Sequence, residues 1–171
     1  MATNLFGISA DAACRVFDMM AGITLEQLPA RYAPVARCEH ELNAIVPVQG
    51  RWTGSIVIGV DREISLLFTE QVLGYRPDSI DDDVIDTVKE LGNMIVGQME
   101  GHLSSDSIKM SLPTVIIGKG AGVGFGSEIE PVLLPLQCEA GRMSLLFGLF
   151  DATPDGSLMP QIAACVTTTT A

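Results

Sequence analysis

The chain has 171 residues, 47% of them hydrophobic, with 10 basic against 21 acidic side chains and a net charge of −11. That is enough chain to bury one core and too apolar a composition for a disordered segment. The charge repels a phosphate backbone with no basic stripe to override it, apolar runs such as 143–150 fall short of the ~20 residues that cross a bilayer, and no secretory signal opens the chain, so one cytoplasmic domain is expected, with neither nucleic acid nor membrane as partner.

From the N-terminus, Ser9 reads as the cap of an amphipathic helix whose apolar stripe is Ala13, Val16, Phe17 and Met20, closing at Gly22. A strand pattern follows over 35–48, then a turn at Gln49-Gly50-Arg51 and a second strand over 55–60. Asp61 is placed to cap a short helix over 63–73 that ends at Gly74, and a loop over 75–79 leads to a long helix from about Asp81 to His102. Asp81, Asp82 and Asp83 complement the positive end of that helix. Residues 109–117 read as a strand, and 131–139 with 142–150 as a hairpin turning at Ala140-Gly141. The tail from Ala152 reads as loosely held, although its stretch 158–166 is apolar enough to pack. Strands and helices mix without βαβ alternation, so the expected fold is a mixed α+β domain: an antiparallel or mixed sheet with long helices on one face.

Two patterns are set aside on chemistry. The Gly-rich stretch 118–126 has no G-x-G-x-x-G register and no G-K-[ST], and a strand rather than a helix follows it, so it reads as a mobile loop rather than a phosphate cradle. Cys14, Cys38, Cys138 and Cys165 are scattered and form no C-x-x-C pair, which suits small buried thiols in a reducing compartment rather than a zinc site. A histidine-based triad would have to use His40 or His102, and neither lies near a nucleophile motif in the sequence.

The long helix carries the chemistry. At 100° per residue, Val84, Val88, Leu91, Ile95 and Met99 share one arc, while Asp86, Glu90, Asn93 and Gly97 line up opposite as a ridge. A wet helix face is polar by default, but Asn is a mediocre helix former, and Gly92 and Gly97 each cost about 1 kcal/mol relative to Ala. Gly97 also strips the ridge of a side chain beside Asn93, leaving room for another surface. Local propensity surrendered in this way points to function. Asn can hold a water without carrying charge, and Glu can pair with an incoming lysine. With no nucleophile or base of its own, the ridge suits an electrophile that is already reactive.

Asp86-x-x-x-Glu90-x-x-Asn93, within Glu90-Leu-Gly-Asn-Met94 and followed by Gly97 and Pro113-Thr-Val-Ile, resembles the signature of the CheC/CheX/FliY phosphatases. The single E-x-x-N makes CheX the nearer likeness, since CheC-type members carry two; the first helix, with Phe17 and Met20 on its apolar stripe, offers no second site. The resemblance spans about 8–150. The interval from Asn93 to Pro113 is shorter than the family pattern.

This likeness implies a CheC-like fold, a homodimer, and hydrolysis of the phosphoaspartate of a CheY-type response-regulator receiver. In that scheme Asn93 positions the attacking water and Glu90 pairs with the receiver's lysine. Asp86, Gly97 and Pro113 belong to the docking surface, and Mg²⁺ is held by the partner rather than by this chain. The alternative is a receiver-binding or flagellar-switch-like module that docks without hydrolysis.

Overall fold

The computed structural model describes residues 5–103 and 106–153. Helix α1 (Leu5–Ala21) is followed by two short strands, β1 (Glu26–Gln27) and β2 (Arg31–Tyr32), and by the hairpin β3 (Leu42–Gln49) and β4 (Trp52–Val60). Next come α2 (Arg62–Leu73) and α3 (Asp82–His102), then β5 (Lys109–Met110), β6 (Thr114–Ile117) and the closing hairpin β7 (Val132–Cys138) and β8 (Gly141–Asp151). The expected α+β class holds, with every strand pair antiparallel.

The sheet runs β1-β7-β8-β4-β3-β5, with β2 beside β7 and β6 beside β3. Its order reads the same from either end once β4 is exchanged with β8, β3 with β7, and the short strands after α1 with those after α3. Sequence repeats accompany this symmetry. Ser55-Ile-Val-Ile-Gly59 in β4 matches Ser144-Leu-Leu-Phe-Gly148 in β8, and the two segments pair so that Ser55 faces Gly148 and Gly59 faces Ser144.

Alternation along the strands separates two cores. On one face Leu42, Ala44, Val46, Ile56, Ile58, Leu145 and Phe147 bury against all three helices, with Phe6 of α1 edge-on to Phe147 at 5.2 Å and Phe17 against Phe68 of α2. The opposite face holds a smaller cluster of Ala33, Val57, Leu133 and Leu146, with Val123 and Phe125 packed on it.

Several boundaries differ from the sequence reading. Ser9 lies inside α1, where its hydroxyl donates to the Leu5 carbonyl at 2.6 Å, and Met20 is 37% exposed rather than on the buried stripe. The strand expected over 35–48 begins only at Leu42, because 36–41 pairs with the Gly-rich stretch instead. Cys38 N–H donates to Ala121 O, Gly120 N–H to Cys38 O, and Gly118 N–H to Glu41 O. That stretch is a loop as expected, but these bonds tie it down. Pro113, which has no N–H to give a ladder, separates β5 from β6 where one strand was expected. The closing hairpin turns at Glu139-Ala140. Gly74 ends α2 in the left-handed region (φ 81°), as its position after Leu73 predicts. The tail stretch 158–166 lies outside the described residues.

Asp61 sits at the N-cap of α2, but its carboxylate is spent elsewhere. It accepts from His40 Nδ1 at 2.8 Å and from Arg142 N–H at 2.9 Å, while His40 Nε2 meets the Ser144 hydroxyl at 3.0 Å. A carboxylate only accepts, so Nδ1 carries the proton in the bond to Asp61. Burial alone would raise the Asp61 pKa, but the His40 and Arg142 hydrogen bonds and the charges of His40 and Lys119 outweigh it and hold the carboxyl low. A depressed folded-state pKa contributes stability above the unfolded value and loses it as pH falls through the folded one. Asp61→Asn should therefore destabilise at neutral pH and lose its penalty below the ordinary carboxylate range, as read by urea unfolding across that interval.

Candidate functional site

Helix α3 begins where Asp81 accepts from Val84 N–H at 3.0 Å, with Asp82 and Asp83 in the first turn. The residues expected to face the core do so: Val84, Val88, Leu91, Ile95 and Met99 are each at most 1% exposed. On the far side Asp86 and Glu90 are exposed, and Asn93 and Gly97 partly so. Asn93 Nδ2 donates to Glu90 Oε2 at 3.4 Å, a long bond that leaves both groups free for stronger partners. Asp86 is paired with Lys89 at 3.1 Å on the exposed flank, a contact of little energetic weight.

The two glycines of α3 differ in kind. A Cβ at Gly97 would meet nothing within 4 Å, so no internal packing demands a glycine there. A Cβ at Gly92 would lie 3.2 Å from Val46 Cγ2 and 3.3 Å from Ala44 Cβ, tight enough that helix or sheet would have to give by a few tenths of an ångström. The sequence reading grouped the two because the packing partners come from β3. Pro113 lies off the helix, between β5 and β6, both of which contact α3; Asp86, Glu90, Asn93 and Gly97 share one face of α3, and Pro113 is not part of it.

Helix α1 holds a pattern that sequence inspection missed. Asp11, Arg15, Asp18, Met19 and Gly22 repeat the spacing of Asp86, Glu90, Asn93, Met94 and Gly97, and the sheet symmetry relates the two helices. Its exposed ridge thus carries Arg15 and Asp18 where α3 has Glu90 and Asn93, so α3 keeps the one E-x-x-N. The signal was available in the spacing, but attention to the apolar stripe hid it.

Two other arrangements bear on chemistry. Ser144, His40 and Asp61 stand in the order of a hydrolytic triad, although the sequence shows no nucleophile near His40. Ser144 and His40 are only 4% and 6% exposed, so the hydroxyl is closed to a substrate and the network serves to tie β8 to the β4–α2 junction. Burial pushes the Cys14 and Cys38 thiols up, away from reactive thiolate. Two surface concavities, of ≈ 1000 Å³ beside Gly22, Leu67 and Cys138 and ≈ 650 Å³ beside Phe125, Ile129 and Phe150, include no ridge residue. The ridge is the outward face of a helix and lies outside both concavities. Among the described residues, no three His, Cys, Asp or Glu side chains gather as a metal-binding group, and no helix is long and apolar enough to cross a membrane.

No curated protein matches the sequence. The fold is similar to a CheC-like superfamily protein from Shewanella sp. PV-4 (TM-score 0.76, 23% identity, covering 85% of this chain and 97% of that one). It is similar also to the chemotaxis protein CheX of Desulfovibrio desulfuricans (TM-score 0.75, 25% identity, 85% and 98% covered). A third likeness is to the CheX-CheY-BeF3-Mg²⁺ complex from Borrelia burgdorferi (TM-score 0.65, 21% identity, 85% and 97% covered). Residues 42–137, more than half the chain and including the whole of α3, match the family described as chemotaxis phosphatase CheX. By that match the chain belongs to the CheX family.

Proposed function

We propose that this protein hydrolyses the phosphoaspartate of a CheY-type receiver domain in the cytoplasm, working as a homodimer. Asn93 enters the receiver's site and orients the attacking water in line with phosphorus, and Glu90 pairs with the receiver's lysine and fixes the dock. Mg²⁺ and the acidic residues that hold it belong to the receiver, so this chain contributes positioning to a reaction whose electrostatics the partner supplies. Asp86 and Gly97 shape the docking surface, and Pro113 borders it. The observation that carries this reading is the pairing of exposed Glu90 with partly exposed Asn93 on the outer face of α3, within the region matched to the family. That a related CheX is known in complex with CheY supports a receiver as the partner.

The test is phosphate release from a receiver phosphorylated with a small acyl-phosphate donor, with and without this protein. Release should accelerate in proportion to the protein added. Binding to the receiver with no acceleration would instead mark a docking module.

A further inference from the structure

Asn93 can position water only as well as α3 is itself positioned, and the contact nearest to Asn93 on the buried side is Gly92. Ala44 and Val46, which face Gly92, are fully buried and belong to β3, an interior strand. Ala44 is paired with Ile58 of β4 on one side and Val115 of β6 on the other. A strand held on both edges does not retreat, so a Cβ at position 92 displaces the helix by a few tenths of an ångström.

The symmetry-related helix supports this. Its counterpart of Gly92 is Phe17, fully buried against Phe68 of α2. Helix α1 packs chiefly on α2 and α3, whereas α3 lies directly on β3. The helix that carries Glu and Asn is the one with a glycine at the point of contact; the helix that carries Arg and Asp has a phenylalanine there.

We infer that Gly92 is a positioning residue for the proposed hydrolysis: by letting α3 seat directly on Ala44 and Val46, it sets the depth at which Asn93 enters the receiver. This rests on the phosphatase reading of the ridge. An effect through helix propensity is opposite in sign, because Ala is the better helix former.

The experiment compares wild type, Gly92→Ala, Ala44→Gly and the double variant in receiver dephosphorylation, with rates taken per folded molecule from thermal melts. Gly92→Ala should lose about tenfold in turnover, a fraction of what a full ångström of misplacement costs, with apparent receiver affinity within about twofold. Ala44→Gly removes one of the two opposing methyls, so the double variant should regain part of the lost turnover. Wild-type turnover in Gly92→Ala, or a double variant as slow as the single, would overturn the inference. Should Gly92→Ala fail to fold, Ala44→Val presses on the same contact from the sheet and must show the same loss of turnover at retained affinity.

The side-chain amide resonances of Asn93 in the free protein give a readout independent of activity. They should shift in Gly92→Ala and return in part in the double variant; unmoved resonances would refute the positioning role. A wild-type protein that leaves the receiver's phosphate untouched would sink the proposed function instead, and the amide resonances would still decide the packing.

Discussion

Asn93→Ala is expected to slow receiver dephosphorylation on the order of a hundredfold, the usual cost of removing a group that positions the reacting atoms. Folding should barely change, because a partly exposed Asn whose recorded side-chain bond is a long one to Glu90 contributes little to stability. Receiver affinity should stay near wild type for the same reason. Glu90→Ala should behave differently and weaken docking as well as turnover, since a lost charge pair at an interface affects affinity. Turnover and apparent affinity, measured for both variants over a range of protein concentrations, separate the two roles. Wild-type turnover in Asn93→Ala would dismiss the water-positioning role and favour the docking module.

Phe147→Ala should be the most damaging core change, at about 3–5 kcal/mol. The ring is 1% exposed, lies edge-on to Phe6, and stands in register between Ile56 of β4 and Val132 of β7. Truncation would open a void that α1 and two neighbouring strands border, and none of them can close it without leaving its own partners. Urea unfolding gives the value directly. A loss below about 1 kcal/mol would mean that α1 collapses into the space, against the close packing described here.

The parts of this fold that were legible in the sequence are those set by local periodicity. The buried and exposed faces of α3 follow from 3.6 residues per turn, so Val84 through Met99 and the opposing ridge could be assigned in advance, and the α2 stop at Gly74 follows from backbone chemistry. What escaped was decided by residues far along the chain. β1, β2 and β5 are two residues long and carry no period to read. Ser9 looks like a cap, but Leu5 and Phe6 bury ahead of it and extend the helix past it. The meaning of Gly92 depends on Ala44, and that of His40 on Asp61 and Ser144, through contacts that a single sequence does not display. Within the site, the ridge was visible, but the reason it stands where it does was not.

The twofold arrangement of the sheet also governs the order in which the molecule can assemble. β3–β4 and β7–β8 are hairpins closed by short turns, so each pairs with its nearest neighbour in the chain. The seam between β4 and β8 joins opposite halves, and its formation must overcome the closure entropy of everything between them, α3 included. Pairings of this range are the slow events of folding. The strands beneath α3 lie on one side of that seam, with Ala44 and Val46 of β3 under Gly92, so the helix can seat before the halves have met. A nascent chain that has emitted α3 but not yet β8 therefore already holds the strand that fixes the height of the Glu90–Asn93 pair.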